Sequence, residues 1–206
     1  MTTKYNNVFI EDAYTVCGNY ENDGPLSKYF DKKHKKDLYF GEKSWEKAEV
    51  HLLKEANENI LKKNKLKEQD IDLLISGDLQ NQIAASDYMA RDFDIPFLGI
   101  FEACSTSSEG LIIGSNFIEG KICKRILVST SSHNMVSEKQ FRNPTEYGTP
   151  KPKTATFTAT GAVSILLTNK KNKVKIESST IGKVVDMGTT DVNHMGAVMA
   201  PAAGDV

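Results

Sequence analysis

Phe97-Leu-Gly-Ile-Phe-Glu-Ala-Cys104-Ser-Thr-Ser-Ser-Glu-Gly110 is the stretch whose reading decides the fold. It begins as a short apolar run after Pro96, which predicts a buried strand over 97–101. Small hydroxylated residues follow, and an apolar pattern then continues to 119, which predicts a helix over 105–119. Cys104 therefore falls at a strand-to-helix turn, beside free backbone N–H groups and the positive end of a helix dipole. Such a position can activate a thiol or gather an anion.

The same alternation extends outward on both sides. Residues 8–17 read as a first strand, and Gly18, Gly24-Pro25 and Gly41 punctuate a long charged excursion over 18–43. Residues 44–63 are the clearest helix, with Ser44 as N-cap and Trp45, Ala48, Leu52, Ala56 and Ile60 on one face. Ile71 to Ser76 predicts a buried strand ending at Gly77-Asp78, and 81–93 a second helix. Arg125 to Thr130 predicts a fourth strand, 133–156 a long polar loop with Pro144, Gly148, Pro150 and Pro152, and 156–167 and 173–183 two further strands. Strands that alternate with helices and then follow one another indicate an α/β fold. The expected sheet is mixed and mostly parallel, with helices on both faces and an antiparallel edge.

The helix over 105–119 is apolar around more than one face: Leu111, Ile112, Ile113, Phe117 and Ile118. Gly110 and Gly114 lie four apart and permit close approach. One sheet layer covers only one side of such a helix, so a second covering element is expected. The chain ends at Met199-Ala-Pro-Ala-Ala-Gly-Asp-Val206, where small residues and an acid look like a helix start that no helix follows, and Val206 reads as a truncation boundary rather than a natural terminus.

Composition excludes several classes. The chain has 206 residues, enough for one sizeable core, and a net charge of -1 that argues against nucleic-acid binding. The basic run Lys28 to Lys36 and the lysines at 170, 171, 173 and 175 read as solvated surface. Cys17, Cys104 and Cys123 show no metal-ligand or disulfide spacing, so no disulfide framework, metal site or cofactor is expected. Cys17 and Cys123 read as core residues. No apolar run is long enough to cross a bilayer, so membrane association would come only through partners.

Several segments, in order along nearly the whole chain, resemble a known family. They are Asp23-Gly-Pro-Leu26, Lys43-Ser-Trp-Glu46, Asp70-Ile-Asp-Leu-Leu74 with Gly77-Asp-Leu79, Ile95-Pro-Phe-Leu-Gly99, Ala103-Cys-Ser-Thr-Ser107, Thr130-Ser-Ser-His-Asn134, Gln140-Phe-Arg142, Pro144-Thr-Glu-Tyr-Gly148, Gly182-Lys-Val184 and Met199-Ala-Pro-Ala-Ala203. The nucleophile segment is similar to that of thiolase-fold proteins such as ketoacyl synthases. The combination resembles the stage V sporulation protein AD family of spore-forming bacteria.

The resemblance implies a thiolase-like fold of two similar halves, of which residues 1–206 form the N-terminal half domain with the C-terminal half absent. It also implies that the apolar helix packs on its counterpart, and that the strand over 97–101 pairs at a dimer edge, giving a homodimer. The implied function is binding of dipicolinic acid, or its calcium chelate, during its uptake into the developing spore. The partners would be other stage V sporulation proteins, and the location cytoplasmic or peripheral at the spore inner membrane.

Cys104 admits more than one reading. As a condensing nucleophile it would need His, Asn or Cys partners, which in the thiolase fold come largely from the second half. His34 and His51 read as surface residues, and His194 as a weaker candidate than His133, which follows the strand RILVST where α/β sites gather. The leading expectation is a non-catalytic ligand site of Cys104, Ser105, Thr106, His133, Asn134 and Arg142. In it the helix start supplies donors and Arg142 a bidentate carboxylate contact. The alternatives are a Cys104-dependent acyltransferase of thiolase or ketoacyl synthase type, and a truncated inactive fragment. Asp78 reads as a turn former.

Overall fold

The computed structural model describes residues 1–141, 158–190 and 194–206. Strands β1 (Thr2–Lys4), β2 (Phe9–Cys17), β3 (Lys32–Lys33), β4 (Leu73–Gly77), β5 (Phe97–Gly99), β6 (Arg125–Ser132), β7 (Gly161–Thr168), β8 (Val174–Lys175) and β9 (Ser178–Thr180) alternate with helices. The helices are α1 (Asn19–Asn22), α2 (Trp45–Lys63), α3 (Ala84–Ala90), α4 (Thr106–Glu119), α5 (Asn134–Phe141) and α6 (Met195–Gly204). The main sheet runs β3-β2-β7-β6-β4-β5, with β8 also on β2.

β6, β4 and β5 run parallel, as do β2 and β3, while β7 is antiparallel to both β2 and β6. The sheet is mixed and mostly parallel, as expected. The long antiparallel strand β7, however, sits inside the sheet between β2 and β6, and only the two-residue β8 adds an antiparallel pairing at the outer side of β2. β7 can occupy that place because both of its faces are covered: Leu166 and Leu167 are each fully buried, on opposite sides.

Period-two alternation divides the core into two layers. Leu74, Leu127 and Leu166 face α2 and α3, where Leu52, Leu53, Ala56, Ile60 and Met89 meet them. Ile75, Ile126, Val128 and Leu167 face α4 and Ile118. Each fully buried Leu or Ile contributes about 1.5–3 kcal/mol. α2 begins where expected, with Ser44 Oγ accepting from Lys47 N at 3.3 Å. Lys62 and Lys63 in its last turn complement the helix dipole.

Gly110 and Gly114 of α4 permit close approach to the sheet rather than to another helix. A Cβ at Gly110 would lie 2.7 Å from Val128 Cγ1, and one at Gly114 2.9 Å from Leu167 Cδ1. With that face on the sheet, Leu111, Ile112, Ile113 and Phe117 are left half-buried.

Other elements differ from the sequence reading. The second helix is a 3-10 turn (Asn81–Ile83) followed by α3, broken because Gln82 and Ile83 adopt positive φ. The first part of the expected loop over 133–156 is helical, as α5. The expected strand over 173–183 is the two short strands β8 and β9. The latter pairs with β1 in a second small sheet that the sequence did not suggest. α6 forms near the chain end and begins at Met195, ahead of the helix-start pattern that Met199 to Val206 suggested. Among the described residues no helix is long and apolar enough to cross a membrane.

Candidate functional site: the Cys104 cleft

A cleft of about 390 Å³ opens where β4 and β6 end, beside the start of α4. Its wall at α4 is Ala103, Cys104, Thr106 and Ser107. The strand ends contribute Asp78, Thr130, Ser131 and Ser132, and β2, β7 and Phe30 close the remainder. This is where parallel α/β sheets gather ligands, outside the carboxyl ends of their strands. The volume lies in the roughly 300–1,000 Å³ range of small-molecule sites.

The turn that carries Cys104 is held by its own neighbours. Ala103 adopts φ 44°, a left-handed conformation that is costly for a residue with a Cβ. Thr106 Oγ1 accepts from Glu102 N at 3.1 Å and donates to Ala103 O at 2.8 Å, while Ser105 Oγ donates to Glu102 O at 2.9 Å. Both hydroxyls thus brace the turn. Thr106 lines the cleft and Ser105 does not. Cys104 itself is exposed, and among the described residues its thiol makes no hydrogen bond.

His133 and Asn134 follow β6 but do not line the cleft. The His133 ring is fully buried, and its Nε2 lies 2.7 Å from Leu38 O. A carbonyl only accepts, so Nε2 carries the proton, and Nδ1 receives the Met135 N–H at 3.3 Å. Burial also lowers its pKa, which keeps the ring neutral. Both nitrogens are committed, so His133 does not serve Cys104 as a base. Asn134 is buried and exchanges bonds with Thr160 Oγ1, both at 2.9 Å. Arg142 and Pro144–Gly148 lie outside the described residues. His194 is exposed ahead of α6.

Behind the cleft lies a buried polar network that the sequence reading missed. Asp78 is a turn former as expected: its carboxylate accepts from Gln80 N at 2.8 Å and Ser86 N at 2.7 Å. Glu49 of α2 is fully buried and accepts from Gln80 Nε2 and Ser131 Oγ, each at 3.0 Å. Burial, and then the charge of Asp78, push the Glu49 carboxyl up to about 8. Burial also raises Asp78, but its backbone N–H donors oppose the shift. Glu49 therefore keeps its proton near neutral pH. The signal was available, because Glu49 shares the apolar face of α2 with Leu52 and Ala56.

The surface reading holds for His51 but needs correction for His34. His34 is largely covered, and its Nε2 lies 2.6 Å from Glu55 Oε2. Glu55 is buried and also pairs with Lys32. His51 is half-exposed and meets Glu42 Oε1 at 3.3 Å.

The architecture is a thiolase-like α/β fold, of the type seen in ketosynthase III structures. 3-Oxoacyl-[acyl-carrier-protein] synthase III from Aquifex aeolicus VF5 superposes with a TM-score of 0.54 at 16% identity, covering 81% of this chain and 55% of that one. A variant of OleA from Xanthomonas campestris superposes with a TM-score of 0.52 at 14% identity, over 81% and 59%. At these identities the likeness is one of fold. The model of the family "Stage V sporulation protein AD" matches residues 2–206. Stage V sporulation protein AD of Bacillus subtilis (strain 168) is 47% identical over 198 residues, which are 96% of this chain and 58% of that protein. The chain belongs to the stage V sporulation protein AD family, and it spans a little over half the length of this curated relative.

Proposed function

We propose that this sporulation protein binds dipicolinic acid, or its calcium chelate, in the Cys104 cleft and takes part in its uptake into the developing spore without catalysing acyl transfer. The observation that carries the non-catalytic reading is the state of His133. His133, the histidine nearest to Cys104 in the sequence, is neutral, buried and bonded at both nitrogens. The cleft retains what a small aromatic dicarboxylate needs: apolar walls from Phe30, Val16 and Leu79, and hydroxyl donors at Ser107 and Thr130. None of the described lining residues is Lys or Arg. The calcium chelate, which is formally neutral, enters such a site with less charge to desolvate than the free dianion. In this reading Arg142 completes the site, and other stage V sporulation proteins bring the protein to the spore inner membrane. β5, at the end of the sheet, offers the edge for a homodimer.

Isothermal titration calorimetry with dipicolinate, with and without calcium, tests the reading. Saturable heat is expected in at least one of the two arms. Cys104→Phe, which places a ring in the mouth of the cleft, is expected to weaken it by about tenfold or more, or at least 1.4 kcal/mol. Absence of heat in both arms would count against binding by this chain. The exposed thiol at a condensing-enzyme turn supports a second reading, acyl transfer. Incubation with acyl thioesters followed by mass spectrometry decides it, because an acyl adduct on Cys104 would replace the non-catalytic account.

A further inference from the structure

Three side chains that the cleft does not use converge on one face of α2. His51 and Glu55 are four residues apart and so project from the same side of the helix. His34, just beyond β3, is brought over that face because its backbone N–H donates to Cys17 O at 2.9 Å, extending the β2–β3 pairing. One ligand atom from each of His34, His51 and Glu55 lies within 4.8 Å of the others. The His34 ring is fixed against Phe40, with centroids 4.8 Å apart, and stands edge-on to His51 at 6.0 Å.

We propose that His34, His51 and Glu55 form a binding site for a divalent first-row transition metal of the zinc class. Two imidazoles and one carboxylate are a borderline-soft donor set suited to such ions and poorly suited to calcium or magnesium, which take oxygen ligands. Three protein ligands leave a further position open for water or another donor. Glu42 Oε1, 3.3 Å from His51 Nδ1, supplies the outer carboxylate that metal-binding histidines commonly have. It holds the proton on Nδ1 and leaves the Nε2 lone pair for a metal. Lys32 engages Glu55 Oε1, and Oε2 accepts from His34 Nε2 at 2.6 Å, so a metal bound between His34 and Glu55 would take the place of that proton.

A metal here would pin the excursion between β2 and α2 onto the helix. That excursion carries Leu38, whose carbonyl holds His133, and Phe40, whose ring lies 5.9 Å from the His133 ring. The site would therefore stabilise the segment that packs His133, without contacting the Cys104 cleft.

The test uses the whole chain, stripped with a chelator and titrated with cobalt(II), followed by its visible d–d absorbance, and with zinc by calorimetry. One equivalent is expected to bind, with an intense low-symmetry cobalt spectrum. His51→Ala, at a half-exposed position, and His34→Ala are each expected to weaken binding by about 10-fold or more while leaving far-ultraviolet circular dichroism unchanged. Cys104→Ser, a control against capture by the thiol, is expected to bind as the unaltered protein does. No binding, or binding that both histidine variants leave intact, overturns the proposal. So does binding that Cys104→Ser abolishes. The outcome is independent of whether dipicolinate binds.

Discussion

Glu49→Gln is expected to stabilise the protein by about 3 kcal/mol at pH 7, and by much less at pH 5. The Glu49 carboxyl ordinarily ionises near 4.5 but is held at about 8 in the fold. Between those values the unfolded chain has lost the proton and the native protein has kept it. The native state then binds more protons, so stability falls as pH rises through this window. Below the lower value both states are protonated and the cost disappears.

Glutamine removes the titration while preserving the shape. Its carbonyl can accept from Gln80 Nε2, and its amide can donate to Ser131 Oγ once that hydroxyl, which donates to Glu49 in the wild type, turns to accept. Thermal unfolding at several pH values checks this. The gap in Tm between variant and wild type should widen steadily from pH 5 to pH 8, where the cost reaches about 4 kcal/mol and the gap roughly 9–17 °C for a chain of this size. A gap that does not change with pH would mean that Glu49 is already ionised in the native protein.

Gly77→Ala is the second large expected effect, a destabilisation of roughly 3 kcal/mol, with loss of the cleft's shape. Gly77 ends β4 where the chain after β5 crosses it. A Cβ there would lie 2.3 Å from Ile100 O and 2.5 Å from Thr106 Cγ2. The first contact is with backbone and cannot be relieved by rotating a side chain. The second is with the residue that braces the Cys104 turn. Relief would push the 100–106 segment outward and loosen the bonds of Thr106 to Glu102 and Ala103. Denaturant unfolding measures the stability, and the rate of Cys104 alkylation reads the disturbed turn. An unchanged midpoint would show that the crossing is looser than these distances indicate.

Much of this architecture could be read from local pattern. The apolar face of α2, its Ser44 cap, and the strand-turn-helix around Cys104 are each set by neighbours within a few residues. Three features were not legible, for definite reasons. The central placement of β7 depends on pairing with β2 and β6, which are distant in sequence and leave no periodic trace. α5, with its polar Asn-Met-Val-Ser-Glu-Lys-Gln start, lacks an apolar period, and its entry is fixed instead by Asn134 and Thr160. α6 hides behind small residues and Pro201.

The site was legible in position but not in detail. Cys104 and Thr106 do line a cleft, whereas Ser105 braces the turn and His133 and Asn134 are tied up behind it. A histidine after a strand end looks the same in sequence whether its ring points into a cleft or onto a carbonyl such as Leu38 O. Similarly, the four-residue spacing of His51 and Glu55 was visible, but His34 joins them only through the fold.

The most direct test of a dipicolinate site at Cys104 is protection of that thiol. Cys104 is exposed, while Cys17 and Cys123 are buried, and burial raises the pKa of both, Cys17 to about 11. Iodoacetamide should therefore modify the native protein at Cys104 and spare the other two, as read by mass spectrometry of its peptides. Saturating dipicolinate, supplied with calcium and without it, is predicted to slow alkylation of Cys104 severalfold in at least one arm. Alkylation at an unchanged rate in both arms would contradict the account.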